Sequence, residues 1–185
     1  MQKYSNSMII TISGKAGSGK STVAKALAKR LGLKHYSVGD LMRQMAAERG
    51  ITLNELGKLA EKDKSIDREL DDRQIAIGKK EDNFVIDGRL TAFFIPNAHH
   101  KVFLDCEDGE RAKRIMKEGR KDEKGSNVNE VIKKIKEREE SERKRYKKYY
   151  KVDYYDPDLY DLMIDTTEMA VEEAIGAVED FVKGE

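Results

Sequence analysis

Gly14, Lys15, Ala16, Gly17, Ser18, Gly19, Lys20 and Ser21 fit the pattern G-x-x-x-x-G-K-S/T, which carries every part of a phosphate cradle. The glycines allow backbone N–H groups to wrap a phosphate chain, the Lys20 ammonium can reach the β- and γ-phosphates, and the Ser21 hydroxyl can hold a magnesium ion. The octapeptide follows an apolar, β-branched run, Met8 to Ile12, and precedes Val23, Ala24, Leu27, Ala28 and Leu31 at helical spacing, with Gly32 as a stop. That strand–loop–helix context marks a nucleotide site rather than a chance glycine-rich loop, and it aims the positive end of a helix at the same anion.

A second set of candidate groups is cationic. On the helix expected over residues 128–150, Val128, Val131, Ile132 and Ile135 form an apolar stripe that two turns later presents Arg138, Glu142, Arg145 and Tyr149. Arginines on a core-facing stripe need an anion to offset desolvation, so this face is expected to border a cleft. Arg89 follows Asp87 and Gly88 at a strand end, and Arg43 is similarly placed after the second strand, beyond Gly39 and Asp40. Their planar guanidiniums suit a phosphate-bearing acceptor. Arg111 and Arg114, three residues apart, are placed to approach the base or phosphates of a nucleotide. Arg120 opens a polar stretch at 119–127, which reads as a flap that delivers it to a transferring phosphate on closure. Asp87 can bind magnesium through water or position an acceptor. His35, His99 and His100 lack metal-ligand spacing and read as structural or surface residues, and Cys106 has no adjacent base to make it a nucleophile.

These groups must be held by a scaffold, and 185 residues suffice for one domain with a real core. Strands are expected at 8–12, 35–37, 83–87, 101–105 and 162–165. The last three are short apolar runs ending in Asp87, Asp105 and Asp165. Helical patterns at 21–31, 40–48, 52–63, 66–79, 109–118, 129–150 and 168–183 separate them, which describes an α/β fold with a parallel sheet covered on both faces and active groups at the carboxyl ends of its strands. Residues 1–7 are polar and read as a disordered extension.

With one cysteine, no 18-residue apolar stretch and no signal-peptide pattern, the expectation is a cytoplasmic protein with no membrane partner. The net charge of +1 conceals a segregation: residues 108–151 carry 17 Lys/Arg against 10 Asp/Glu, and residues 152–185 carry 1 against 11. Acidic residues interleave the basic segment and no nucleic-acid motif accompanies it, so nucleotide phosphates, not nucleic acid, are the expected partners.

Taken together, the loop at 14–21, the turn from Ser37 to Asp40 with Arg43, the helix from Ile66 to Arg73, the strand from Val85 to Leu90, and the run from Tyr160 to Thr166 resemble the nucleoside monophosphate kinases, specifically cytidylate kinases of the shorter archaeal type. Those kinases carry R-D-x-x-D-x-x-R on a helix; here Arg138 to Arg145 has Glu139 and Glu142 at the acidic positions. The resemblance implies a three-layer P-loop kinase fold with sheet order 2-3-1-4-5, an acceptor-binding region at about 39–75 and a lid at about 119–128. It implies transfer of a phosphoryl group from ATP to CMP or dCMP with magnesium, by a monomer. In that scheme Gly14 to Ser21, Thr22 and Arg111 bind ATP, while Lys20, Arg120 and Arg114 stabilise the transferring group. Gly39, Asp40, Arg43, Asp72, Arg89, Arg138, Glu142 and Arg145 take the acceptor, and Ser21 and Asp87 hold the metal. Kinases for AMP, UMP, shikimate or dephospho-CoA are the near alternatives. A GTPase switch is disfavoured because no Asn-Lys-x-Asp occurs and the only D-x-x-G, Asp122 to Gly125, lies in the polar stretch.

Overall fold

A computed structural model describes residues 7–119, 125 and 127–184. The expected flap and Arg120 fall largely outside the described residues, as do residues 1–6.

Five parallel strands form the centre: β1 (Met8–Gly14), β2 (Lys34–Ser37), β3 (Asn83–Gly88), β4 (His100–Asp105) and β5 (Leu162–Asp165), in the order β2-β3-β1-β4-β5. The expected sheet order is therefore found. Alternation along the buried strands divides the core. Ile10, Ile12, Val85, Val102 and Leu104 pack against α1 (Lys20–Leu31) and α8 (Val171–Lys183), while Ile9, Phe84 and Ile86 face α2 (Val38–Glu48), α3 (Leu53–Lys62) and α4 (Lys64–Lys80). Such strands read as unbroken apolar runs because neither face meets water.

Two further helices close the carboxyl end of the sheet. α6 (Asp108–Glu118) and α7 (Val128–Tyr150) pack together around Ala16, Ala112, Ile115, Val131 and Ile135, which ties the phosphate loop to both. α7 then runs on to α3, where the Tyr149 hydroxyl donates to the carbonyls of Ala60 and Glu61. Its first turn is capped by Asn127, and α3 opens with a reciprocal capping box between Thr52 and Glu55.

Some boundaries differ from the sequence pattern for local reasons. α4 starts two residues early because the Asp63 side chain accepts the Ser65 N–H, and α8 starts late because its N-cap is Ala170, whose N–H donates to the Glu173 carboxylate. The four-residue α5 (Thr91–Phe94) and the 3-10 turn Pro157–Leu159 are too short to leave a periodic signal.

Candidate active site

The strand-to-helix loop takes the shape its glycines permit. Gly14 has φ +150°, and a Cβ there would lie 2.3 Å from the Leu104 carbonyl oxygen. Gly17 has φ +77°, and its Cβ would meet the Arg111 carbonyl at 2.7 Å. Close approach to β4 and α6 therefore excludes side chains at both positions, independently of any bound phosphate. Lys20 curls into the loop, its Nζ donating to the Lys15 carbonyl at 3.3 Å, and Lys15 pairs with Asp105 at 2.8 Å.

Directly below lies Asp87, fully buried at the end of β3. Ser21 Oγ donates to its Oδ2 at 2.6 Å, Ser37 Oγ donates at 3.2 Å, and His35 Nε2 stands 2.8 Å from Oδ1. Burial alone would raise this carboxyl, but the His35 hydrogen bond, the Lys20 charge and Ser21 outweigh it and hold Asp87 below its usual range. Asp87 is thus ionised. His35 plays the expected structural part, and the particular part is to orient the strand-end carboxylate. Its signal is positional, since β2 pairs with β3 in a register that sets Ser37 against Asp87, and this emerges only with the sheet. His99 also plays the expected structural part, its Nδ1 accepting the Ile9 N–H.

From Lys20 and Ser21 one cleft continues to Gly39, Arg43, Arg89 and Arg138, bounded by α4 and α7. Its cations are already paired. Arg89 donates to Glu142 at 2.7 Å and to the Gly14 carbonyl at 2.7 Å, Arg138 meets Glu142 at 2.9 Å, and Arg145 meets Asp67 at 2.9 Å and the Gly57 carbonyl at 3.2 Å. The anions that the arginine stripe requires are therefore supplied first by the protein's own carboxylates. Glu142 works against complete burial, and Arg89 and Arg138 pull its pKa down to about 2.

Several expected site residues stand elsewhere. Asp72 is exposed and does not line the cleft; the helical phase of α4 turns Asp67, Asp71 and Gln74 inward instead. Asp40 also lies outside it, exposed and paired with Arg43 at 2.7 Å. Arg111 is completely buried. Its guanidinium is taken up by Asp108, Glu139 and the Ala16 carbonyl, so it braces the phosphate loop from behind. Arg114 donates to the Thr166 carbonyl at 2.7 Å and borders a separate cavity of about 370 Å³ beside Gly19, Thr22 and Met169.

Comparison with known proteins identifies the family. The model of the cytidylate kinase-like family matches residues 9–168. This chain belongs to that family. A cytidylate kinase of Pyrococcus abyssi is 44% identical over 165 residues, covering 89% of this chain and 88% of that protein. One of Archaeoglobus fulgidus is 40% identical over 176 residues, covering 95% and 93%. Among solved structures, a shikimate kinase of Bacteroides thetaiotaomicron superposes with a TM-score of 0.66 over 95% of this chain and 98% of that one, and an uncharacterised protein of Eubacterium ventriosum with 0.71 over 96% and 99%. At 15% and 20% identity these two share the fold. Apart from Met169, every site residue described above lies inside the segment that matches the cytidylate kinase-like family.

Proposed function

We propose that the protein transfers the γ-phosphoryl group of ATP to the phosphate of CMP or dCMP, giving ADP and CDP or dCDP. One observation carries this reading: a single cleft joins the phosphate loop at Lys20 and Ser21 to the cationic wall of Arg43, Arg89 and Arg138. Donor and acceptor phosphates can thus meet inside it. Because the acceptor is already an anion, no strong general base is needed, and rate comes from alignment and charge neutralisation. Lys20 takes the β- and γ-phosphates. Arg43 and Arg138 receive the acceptor phosphate, while Arg89 and Arg145, held by Glu142 and Asp67, keep the wall in shape before substrate arrives and so limit reorganisation.

The Ser21 hydroxyl and Asp87 carboxylate, 2.6 Å apart, form an oxygen donor pair that fits magnesium directly or through water. When bound, that ion supplies charge neutralisation on the β- and γ-phosphates. The nucleoside of ATP lies in the cavity beside Arg114 and Thr22. Residues 39–75 form the acceptor side of one kinase domain. We read the protein as a cytoplasmic monomer whose partners are the small molecules ATP and CMP or dCMP, without nucleic-acid or membrane partners. ADP release from Mg·ATP with CMP, dCMP, UMP, AMP, GMP, shikimate and dephospho-CoA offered separately tests the assignment. CMP and dCMP are expected to give the highest kcat/KM, and a higher value for any other acceptor overturns it.

A further inference from the structure

α4 turns Asp67, Asp71 and Gln74 toward the cleft on successive turns. Asp67 is engaged by Arg145. Among the described residues Asp71 is held on one side, where the Tyr150 hydroxyl donates to Oδ2. Gln74 is 2% exposed, and its Oε1 has no hydrogen-bond partner among the described residues. An orphaned amide oxygen at that depth is costly, and a bound donor offsets the cost. Burial, aided by Asp67 and Asp72 and opposed by the Tyr150 hydrogen bond, pushes the Asp71 carboxyl up to about 7, so a large share of molecules carry a proton there at neutrality. With Tyr150 donating to Oδ2, that proton resides on Oδ1.

The wall therefore presents a donor and an acceptor one turn apart. Cytosine offers the complement, a ring N3 that accepts and an N4 amine that donates; uracil offers a donating N3–H and an accepting O4. We propose that Asp71 and Gln74 select the acceptor's base, Gln74 Oε1 taking an amine hydrogen and Asp71 Oδ1 facing N3, so that an amino-bearing pyrimidine is favoured over an oxygen-bearing one. This rests on the assignment of the cleft as the acceptor site.

The test is kcat/KM for CMP and for UMP in the wild type, Gln74→Met, Asp71→Asn and Asp71→Leu, with the KM for ATP and thermal melts recorded for each. Gln74→Met is expected to lower the CMP to UMP ratio by about tenfold or more, with the KM for ATP near wild type. Asp71→Asn still donates toward N3 while accepting from Tyr150, and keeps the ratio within about threefold. Asp71→Leu lacks the donor and loses about tenfold. Should Gln74→Met melt below the assay temperature, Asp71→Leu decides. An unmoved ratio in the deciding variant, or a wild type that favours UMP, overturns base selection while leaving the kinase assignment intact. A wild type that phosphorylates no nucleoside monophosphate removes both.

Discussion

Lys20 and Glu142 show two different uses of charge at the residue scale. Lys20 is a cation held by its own loop's carbonyl, ready to exchange that weak acceptor for phosphate oxygens. Lys20→Ala is expected to lower kcat/KM for CMP by about 10²- to 10³-fold, as losing one preorganised donor does, while the melting temperature stays near wild type. A steady-state assay beside a circular-dichroism melt separates this outcome from misfolding. Glu142 is an anion without solvent, and its value lies in joining Arg89 to Arg138. Glu142→Gln removes the buried negative charge that Arg89 and Arg138 share and is expected to cost about 3–5 kcal/mol at neutral pH. Because the folded-state pKa is depressed, the stabilisation by Glu142 is fully present above its ordinary value of 4.5 and disappears as the pH falls toward about 2. The stability gap between wild type and variant, followed by urea unfolding from pH 7 to pH 2, should therefore narrow through that window.

Elements decide which of these residues can cooperate. α7 connects the phosphate loop, through Val131 and Ile135, to α3, through Tyr149, and Arg145 extends that link to the Gly57 carbonyl of α3. The placement of α3 thus bears on the arginine wall. Thr52→Ala removes half of the capping box at the start of α3 and is expected to cost about 1 kcal/mol, read as a lower midpoint in denaturant titration with an unchanged slope. Sequence periodicity located α3 and α7 well, since each carries a long apolar stripe. Asp72 is expected at the acceptor from the family resemblance, which does not set the rotation of α4; packing of Ile66 and Leu70 against the core turns Asp71 inward instead.

The whole molecule is a sheet covered on both faces whose carboxyl end carries two adjoining sites, one beside Arg114 and one between α4 and α7. Ligands that bind only the folded chain stabilise it by mass action. At about 100 times its dissociation constant, CMP is expected to add about 2.7 kcal/mol, which raises the melting temperature of a chain this size by roughly 5–10 °C. A non-hydrolysable ATP analogue should do the same independently. Differential scanning fluorimetry with each ligand alone checks this, and no shift with CMP would contradict an acceptor site formed in advance.

Local order settles what adjacent residues do, so the chain alone was enough to determine the phosphate loop, the five strands and their covering helices, since those depend on glycine freedom, β-branching and apolar spacing within short stretches. Contacts between distant segments are another matter. That His35 orients Asp87, that Glu142 and Asp67 neutralise the arginine stripe, and that Arg111 braces the loop was decided by the sheet register and the helix packing, which bring together residues 28 to 78 positions apart. Arginine in a sequence signals a need for an anion; only the tertiary structure determines whether that anion is a ligand or a neighbouring carboxylate, because the cost of burying a charge depends on its surroundings in space.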